Sequence, residues 1–273
     1  MGDETKRIKN QIEENIRLNK FLSDAGYCSR READRLIDAG KVMVNYKPAL
    51  MGQKVSERDI VTVNGHKITR EEEQIIIAFN KPVGVECTTD SKNPDNIVDY
   101  IGYEKRIYPI GRLDKNSQGL ILLTNDGSIV NNILKASNCH EKEYIVTVDK
   151  PVTDSFLSAM SNGVKILDKV TRKCKVSKVS KHTFCIILTQ GLNRQIRRMC
   201  EALGYEVKDL LRVRVMNITL DGLKDGQYRK LTDQELNELY DQLKDSSALP
   251  GGKYQEQWAA TQDNRTRHGK GKK

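Results

Sequence analysis

The sequence lacks the features that define membrane and exported proteins. No run among its 273 residues approaches the roughly 18 apolar residues that a membrane-spanning helix needs. Residues Met1 to Glu14 are charged and lack the apolar core of a signal peptide. We therefore expect a cytoplasmic protein that has no membrane partner.

Patterns for a disulfide framework and for a zinc site are missing as well. The four histidines form no close cluster, and no Cys-x-x-Cys motif occurs. Scattered thiols in a basic chain are typical of reduced, structural cysteines, so we predict no metal site. The six scattered cysteines are Cys28, Cys87, Cys139, Cys174, Cys185 and Cys200.

Positive charge is what the chain has in excess. Lys and Arg total 46 against 37 Asp and Glu, which gives a formal net charge of +9. This balance points to a polyanionic partner, nucleic acid or an anionic membrane, or to neither of them. The length suggests one to two domains.

The first quarter of the chain reads as a small compact module. After a flexible segment over residues 1–15, apolar residues at helical spacing predict one helix that ends near Gly26. Ser29 and Glu32 have the spacing of a capping box and predict a second helix. Short strands follow near Val42 and over Ile60–Val63, so we place the module at residues 16–64 and a charged linker at 65–74.

Four cations of this module stand out. They are either a solvated face or contacts to phosphates, and spacing alone favours neither. These four N-terminal cations are Arg30, Arg31, Arg35 and Lys41.

Residues 75–245 alternate between short apolar strands and short helices. This order predicts an α+β domain with a mixed, largely antiparallel sheet. Residues 246–273 are basic and have no apolar period, which predicts a disordered tail. The expected strands are 75–79, 120–123, 144–148, 170–179, 184–188 and 211–220, and the expected helices are 127–135, 154–160 and 231–243.

A charged loop between two glycines is the feature around which the second domain is organised. Arg112, Leu113 and Asp114 lie between Gly111 and Gly119, immediately before an apolar strand. A loop fixed to a buried strand can hold a carboxylate still. The alternative is a surface hairpin with an ordinary aspartate.

An arginine-rich helix follows Gly191. Ile196, Met199 and Cys200 share one face at helical spacing. Arginines on the other side repel one another unless anions compensate, either phosphates or a protein carboxylate. These arginines are Arg194, Arg197 and Arg198.

Four motifs in this order resemble the RsuA-type family of RNA pseudouridine synthases. Stretches of residues 17–45 also resemble the small RNA-binding domain named after ribosomal protein S-four. The four motifs are Asn80-Lys81-Pro82-Val83-Gly84, Gly111-Arg112-Leu113-Asp114 with Gly119-Leu120, Lys142-Glu143-Tyr144, and Gly191-Leu192-Asn193-Arg194-Gln195-Ile196-Arg197-Arg198-Met199.

The resemblance implies that the protein isomerises a specific uridine to pseudouridine. The expected substrate is large-subunit ribosomal RNA, with tRNA or small-subunit ribosomal RNA as alternatives. It implies no metal and no organic cofactor, and we take a monomer as the default. The target uridine would be flipped out of the RNA stack.

The resemblance also assigns roles to the motif residues. Asp114 would be the essential carboxylate, buried near the guanidinium of Arg197, and whether it acts as nucleophile or base stays open. Tyr144 would stack on the flipped base, its alternative being an ordinary core tyrosine. Arg112 would fill the gap in the RNA stack or bind phosphate. Arg194 and Arg198 are assigned to phosphates.

Two other functions compete with this one. A noncatalytic ribosome-binding protein would suit the basic N-terminal module. A glycoside hydrolase acting on nucleic acid usually needs two carboxylates at the scissile bond, and Asp114 has no acidic companion in its loop.

Overall fold

The computed structural model describes residues 15–69, 73–135 and 138–248. The predicted flexible N-terminus, apart from Asn15, and the predicted tail beyond residue 248 lie outside the described residues. Contacts divide the chain into two units between Gln74 and Ile75, where the sequence places the start of the second domain.

The smaller unit packs two helices against short strands. Ser29 caps the second helix by accepting a hydrogen bond from the Glu32 amide (3.2 Å), as the capping spacing predicts. Its core includes Leu18, Leu22 and Val42. The elements are β1 (Ile16–Arg17), α1 (Leu18–Asp24), α2 (Arg30–Asp38), β2 (Val42–Val44), β3 (Lys47–Pro48), β4 (Lys54–Val55), β5 (Val61–Val63) and β6 (His66–Lys67).

The strands of this unit extend into the segment expected to be a linker. They form a sheet of order β3-β2-β5-β6, and β1 pairs separately with β4. Strand β6 pairs antiparallel with β5, and Ile68 packs against the core. The predicted linker 65–74 is therefore wrong at its start. A two-residue strand is too short to show a period in sequence, and a turn at Asn64–Gly65 forms the hairpin.

The larger unit is built on one mixed sheet. Its strand order is β13-β14-β10-β15-β9-β7-β17, with β8 on β9 and β16 on β15. The elements are β7 (Ile76–Lys81), α3 (Ile97–Ile101), β8 (Tyr108–Ile110), β9 (Gln118–Thr124), α4 (Gly127–Leu134), β10 (Lys142–Val148), α5 (Asp154–Asn162), β11 (Lys165–Ile166), β12 (Lys169–Val170), β13 (Lys175–Lys178), β14 (Thr183–Leu188), α6 (Gln195–Ala202), β15 (Val207–Val215), β16 (Ile218–Thr219), β17 (Tyr228–Lys230) and α7 (Asp233–Ala248).

One pair of strands makes this sheet mixed. Within the described residues, β15 and β9 run parallel over Leu211–Gln118 and Arg212–Gly119, and the other pairs of the sheet are antiparallel. The prediction of an α+β fold with a mixed, largely antiparallel sheet is confirmed.

Strands β7 and β9 are buried on both faces. Ala78 and Leu120 face a cluster that includes residues of α4 and α7, whereas Phe79 and Ile121 face a cluster that includes Ile97 of α3. Burial on both faces explains why these strands read as continuous apolar runs rather than alternating patterns. Strand β9 is therefore a fixed support for the loop that precedes it.

Two predicted strands are wrong in extent. The expected strand 170–179 is split into β12 and β13, which pair with β11 and β14 respectively. The expected strand 211–220 turns back at Met216 and Asn217, so that β16 pairs with β15. Apolar periodicity continues across both breaks, so it does not show where either strand ends.

Candidate active site

The Asp114 loop connects β8 to β9. Gly111 has φ +80°, and the Ser117 amide donates to the Asp114 carbonyl (3.0 Å). Leu113 is buried, and its amide donates to the Cys87 thiol (3.3 Å). The loop backbone is thus held on both sides of Asp114.

Lys81 supports the same loop from beneath. Its ammonium is fully buried and donates to the carbonyls of Pro82 (2.8 Å) and Val85 (2.7 Å). The Gly84 amide donates to the Lys115 carbonyl (2.8 Å), which ties the turn after β7 to the residue that follows Asp114. Burial lowers the pKa of Lys81. The 80–84 motif is therefore a support for the loop.

Asp114 is less buried, and differently paired, than the sequence suggested. Its side chain is 36% exposed, and its nearer cation is Arg194 at 3.4 Å. The Nε of Arg197 lies 3.8 Å away. Arg197 donates instead to the Asn116 carbonyl (2.9 Å) and the Ser117 hydroxyl (3.0 Å). Arg197 therefore holds the end of the Asp114 loop and also lies beside the Asp114 carboxylate.

The three arginines at the start of α6 differ in environment. The side chain of Arg197 is 12% exposed and that of Arg194 is 44% exposed. Burial, and then the like charge of Arg194, lower the pKa of Arg197. Arg194 has φ +49°, a left-handed backbone conformation that residues other than glycine seldom adopt. Arg198 turns toward Asn193, donating to its carbonyl (3.1 Å) and its side-chain oxygen (3.3 Å).

Tyr144 and Asp114 line one cavity. The cavity has a volume of about 480 Å³ and is also lined by Arg112, Arg194 and Arg197. Residues from β10, β15, the Asp114 loop and the segment around α6 form its walls. Five cations line the cavity against one carboxylate, Asp114, and these are Arg112, Lys142, Arg194, Arg197 and Arg212.

The sequence did not identify two of these cations, Lys142 and Arg212, as residues of the site. Lys142 donates to the His140 carbonyl (3.2 Å), and burial, with the nearby charge of Arg212, lowers its pKa to about 8. Arg212 is buried and its Nε donates to the Leu120 carbonyl (2.6 Å). Lys142 precedes Tyr144 by two residues, and this spacing on one strand is a signal that could have found it.

The four N-terminal cations belong to the smaller unit. All four are exposed. Arg35 pairs with Glu32 (3.0 Å), one turn earlier on α2. Exposure fits both readings of these residues, a solvated face or contacts to phosphates.

The described part of the chain contains neither a cluster of metal-binding side chains nor a candidate membrane span. Among residues 15–69, 73–135 and 138–248, no three His, Cys, Asp or Glu side chains come together as a metal cluster. No helix in those ranges is long and apolar enough to cross a membrane. Cys87, Cys139, Cys174, Cys185 and Cys200 carry free thiols.

Family models match both units of the chain. Residues 75–202 match the model described as RNA pseudouridylate synthase, and residues 16–61 match the S4 domain.

Individual relatives extend these matches over most of the chain. The dual-specificity RNA pseudouridine synthase RluF of Shigella flexneri is 56% identical over 235 residues, which cover 85% of this chain and 81% of that one. The ribosomal large subunit pseudouridine synthase B of Bacillus subtilis is 38% identical, covering 82% of this chain and 95% of that one. A crystal structure of a pseudouridylate synthase superimposes with a TM-score of 0.61 at 29% identity, covering 82% of this chain and 99% of that one.

Proposed function

Because this chain belongs to the RNA pseudouridylate synthase family and is an isomerase that forms pseudouridine in RNA, we propose that the cavity beside Asp114 is its active site. The observation that carries the proposal is the meeting of Asp114, Tyr144 and Arg197 at one basic cavity. These residues come from three distant stretches of the sequence. A structural role for any one of them would not require the three to meet.

The substrate uridine enters this cavity after it is flipped out of the RNA stack. Its reacting atoms, N1, C5 and the ribose C1′, are inaccessible inside a folded RNA, so unstacking must precede the chemistry. Tyr144 packs on the flipped base, where stacking on an aromatic ring is worth roughly 1–3 kcal/mol. Arg112, exposed at the loop, fills the gap in the stack or binds a phosphate.

Asp114 acts on the ribose end of the uridine as nucleophile or base. The guanidinium groups of Arg194 and Arg197, 3.4 Å and 3.8 Å from its carboxylate, stabilise its negative charge when RNA displaces water from the cavity. The lesser exposure of Arg197 makes it the fixed member of the pair. Arg194 is exposed enough to contact phosphate as well.

The substrate we propose is large-subunit ribosomal RNA, with tRNA second. The relatives named above include large-subunit synthases and dual-specificity enzymes. The four N-terminal cations would bind phosphates of a structured RNA, because positive charges position a protein on a nucleic acid without reading its sequence. We further propose that the protein acts as a monomer in the cytoplasm.

Replacement of the carboxylate tests the proposal. Asp114→Asn should keep the fold and RNA binding but abolish release of tritium from 23S rRNA or tRNA transcripts labelled at C5 of uridine. Asp154→Asn, at an exposed position that starts α5, is the matched control. Full turnover by Asp114→Asn would refute the assignment. Mapping pseudouridines in cells with and without the gene would identify the target RNA.

A further inference from the structure

Lys142 and Tyr144 lie on the same face of β10. They are two residues apart, and side chains at that spacing in a strand point the same way. Tyr144 pairs across the sheet with Arg212 on β15, and all three residues line the cavity. Glu143, between them, points to the opposite face, where it pairs with Arg214 (2.8 Å). The ammonium of Lys142 therefore belongs to the same wall as the ring proposed to hold the base.

The ammonium of Lys142 has more hydrogen-bond donors than acceptors around it. A lysine ammonium carries three N–H groups, and among the described residues the structure gives it one acceptor, the His140 carbonyl. Its charge is costly where it stands, because burial and the charge of Arg212 lower the pKa of Lys142 to about 8. A cation with a shifted pKa in a cavity is characteristic of a functional site.

We propose that Lys142 is a catalytic residue, which hydrogen-bonds a carbonyl oxygen of the flipped uracil and stabilises the negative charge that this ring acquires during the reaction. The inference rests on the proposed active site and adds a residue to which nothing above assigns a role.

The chemistry of the isomerisation requires such charge. When the N1–C1′ bond breaks, the bonding electron pair stays with the uracil, where N1 and the two carbonyl oxygens share it. The C5–C1′ bond then forms, the proton on C5 leaves to solvent, and N1 takes up a proton, so the atoms balance. A fixed cation at a carbonyl oxygen binds the anionic ring more strongly than the neutral base, and this difference accelerates the step.

The position of Lys142 favours the base over a phosphate as its partner. Arg112 and Arg194 are exposed and can meet phosphates of the flanking backbone without leaving solvent. Lys142 is half-buried beside Tyr144, and the buried Arg212 opposite Tyr144 lies close enough for its charge to act on Lys142. A phosphate drawn to this depth would lose its hydration shell, whereas a uracil carbonyl is neutral until the bond breaks.

The pH dependence of Lys142 must be read against its charged neighbours. Arg212 faces it from β15, Tyr144 shares its strand, and His140 precedes it. The remaining titratable groups on the cavity wall are Arg112, Asp114, Arg194 and Arg197. Because the pKa of Lys142 is lowered to about 8, the free enzyme should lose this charge, and kcat/KM with it, as the pH rises through 8.

Lys142→Met in the full-length protein tests the inference, with Lys178→Met, exposed at the end of β13, as control. The assay is tritium release from C5-labelled 23S rRNA and tRNA transcripts. We expect kcat to fall by about 10²-fold, a loss typical of removing one donor that stabilises a developing anion, with KM changed much less. The melting temperature should not fall, because a costly buried charge is removed.

The pH profile separates catalysis from packing. Lys142→Met should be flat between pH 7 and 9, and Lys142→Arg, which stays charged, should regain part of the rate without the alkaline decline. Activity of Lys142→Met within threefold of wild type, or a lowered melting temperature with an unchanged alkaline decline, would overturn the role of Lys142 alone. Absence of wild-type release from both RNAs would overturn the proposed function, and this inference with it.

Discussion

Replacing Gly119 with alanine should separate the two halves of the active site. Gly119 is the second residue of β9 and pairs with Arg212 across the parallel contact to β15. Its φ is +106°, and a Cβ at this position would overlap the Arg212 carbonyl oxygen and lie 2.7 Å from the Arg212 amide nitrogen. Both obstacles are backbone atoms of a central strand, which cannot move aside as a side chain can.

The expected cost has two parts. An unfavourable φ for a residue with a Cβ costs of order 1–3 kcal/mol, and overpacking against fixed atoms typically adds about 1–3 kcal/mol. We therefore expect Gly119→Ala to lower stability by about 2–6 kcal/mol. For a unit of this size, each kcal/mol shifts the melting temperature by roughly 2–4 °C.

A second glycine isolates the backbone term. Gly204 has φ +79°, and no heavy atom lies within 4 Å of the point that a Cβ would occupy there, so Gly204→Ala should show the conformational cost alone. Circular dichroism melts of both variants, with hydrogen exchange of peptides covering β9 and β15, provide the measurement. Equal melting temperatures for the two variants, with full protection of β9 in Gly119→Ala, would refute the argument from overlap.

Two more predictions concern the charges. Arg197→Met should lower kcat in the tritium-release assay by about 10²-fold, because it removes the contacts that hold the loop end and one side of Asp114. Arg194→Met should lower kcat by about tenfold or less, because Arg194 is exposed. A larger loss of kcat for Arg194→Met than for Arg197→Met would contradict this ranking. Replacing the four N-terminal cations by glutamine should weaken RNA binding and flatten its dependence on log salt by roughly 3 units. A slope equal to that of wild type would show that these cations do not bind phosphate.

Much of the local structure follows from side chains acting on their own neighbourhood. Ser29 caps α2 at the predicted position, and Thr153 caps α5 immediately before the predicted helix 154–160. Thr232 and Glu235 exchange reciprocal capping hydrogen bonds at the start of α7. The buried face of α6, with Met199 and Cys200 fully enclosed, follows from helical spacing. Each of these features depends on residues within about one turn of one another.

The ranking of the cations around Asp114 could not be derived in this way. Arg197 is three residues from Arg194 on the sequence, and helical spacing places both on one side of α6. Arg194, whose backbone is left-handed, pairs with the carboxylate, whereas Arg197 donates to the Asn116 carbonyl and the Ser117 hydroxyl. The sequence also led us to expect a buried Asp114. The carboxylate is partly exposed instead, because its loop borders a cavity that is open to solvent.

The parallel contact between β9 and β15 also explains why the sequence does not identify Lys142 and Arg212 as residues of the site. Strand β15 lies between β9, which follows the Asp114 loop, and β10, which carries Lys142 and Tyr144. Strands β9 and β15 are far apart in the sequence. The pattern of residues in neither strand predicts that the two pair. Yet this pairing sets the distance between Asp114 and the wall of the cavity that carries Lys142 and Tyr144. Substitutions at Gly119 should therefore impair the chemistry even though its own atoms take no part in it.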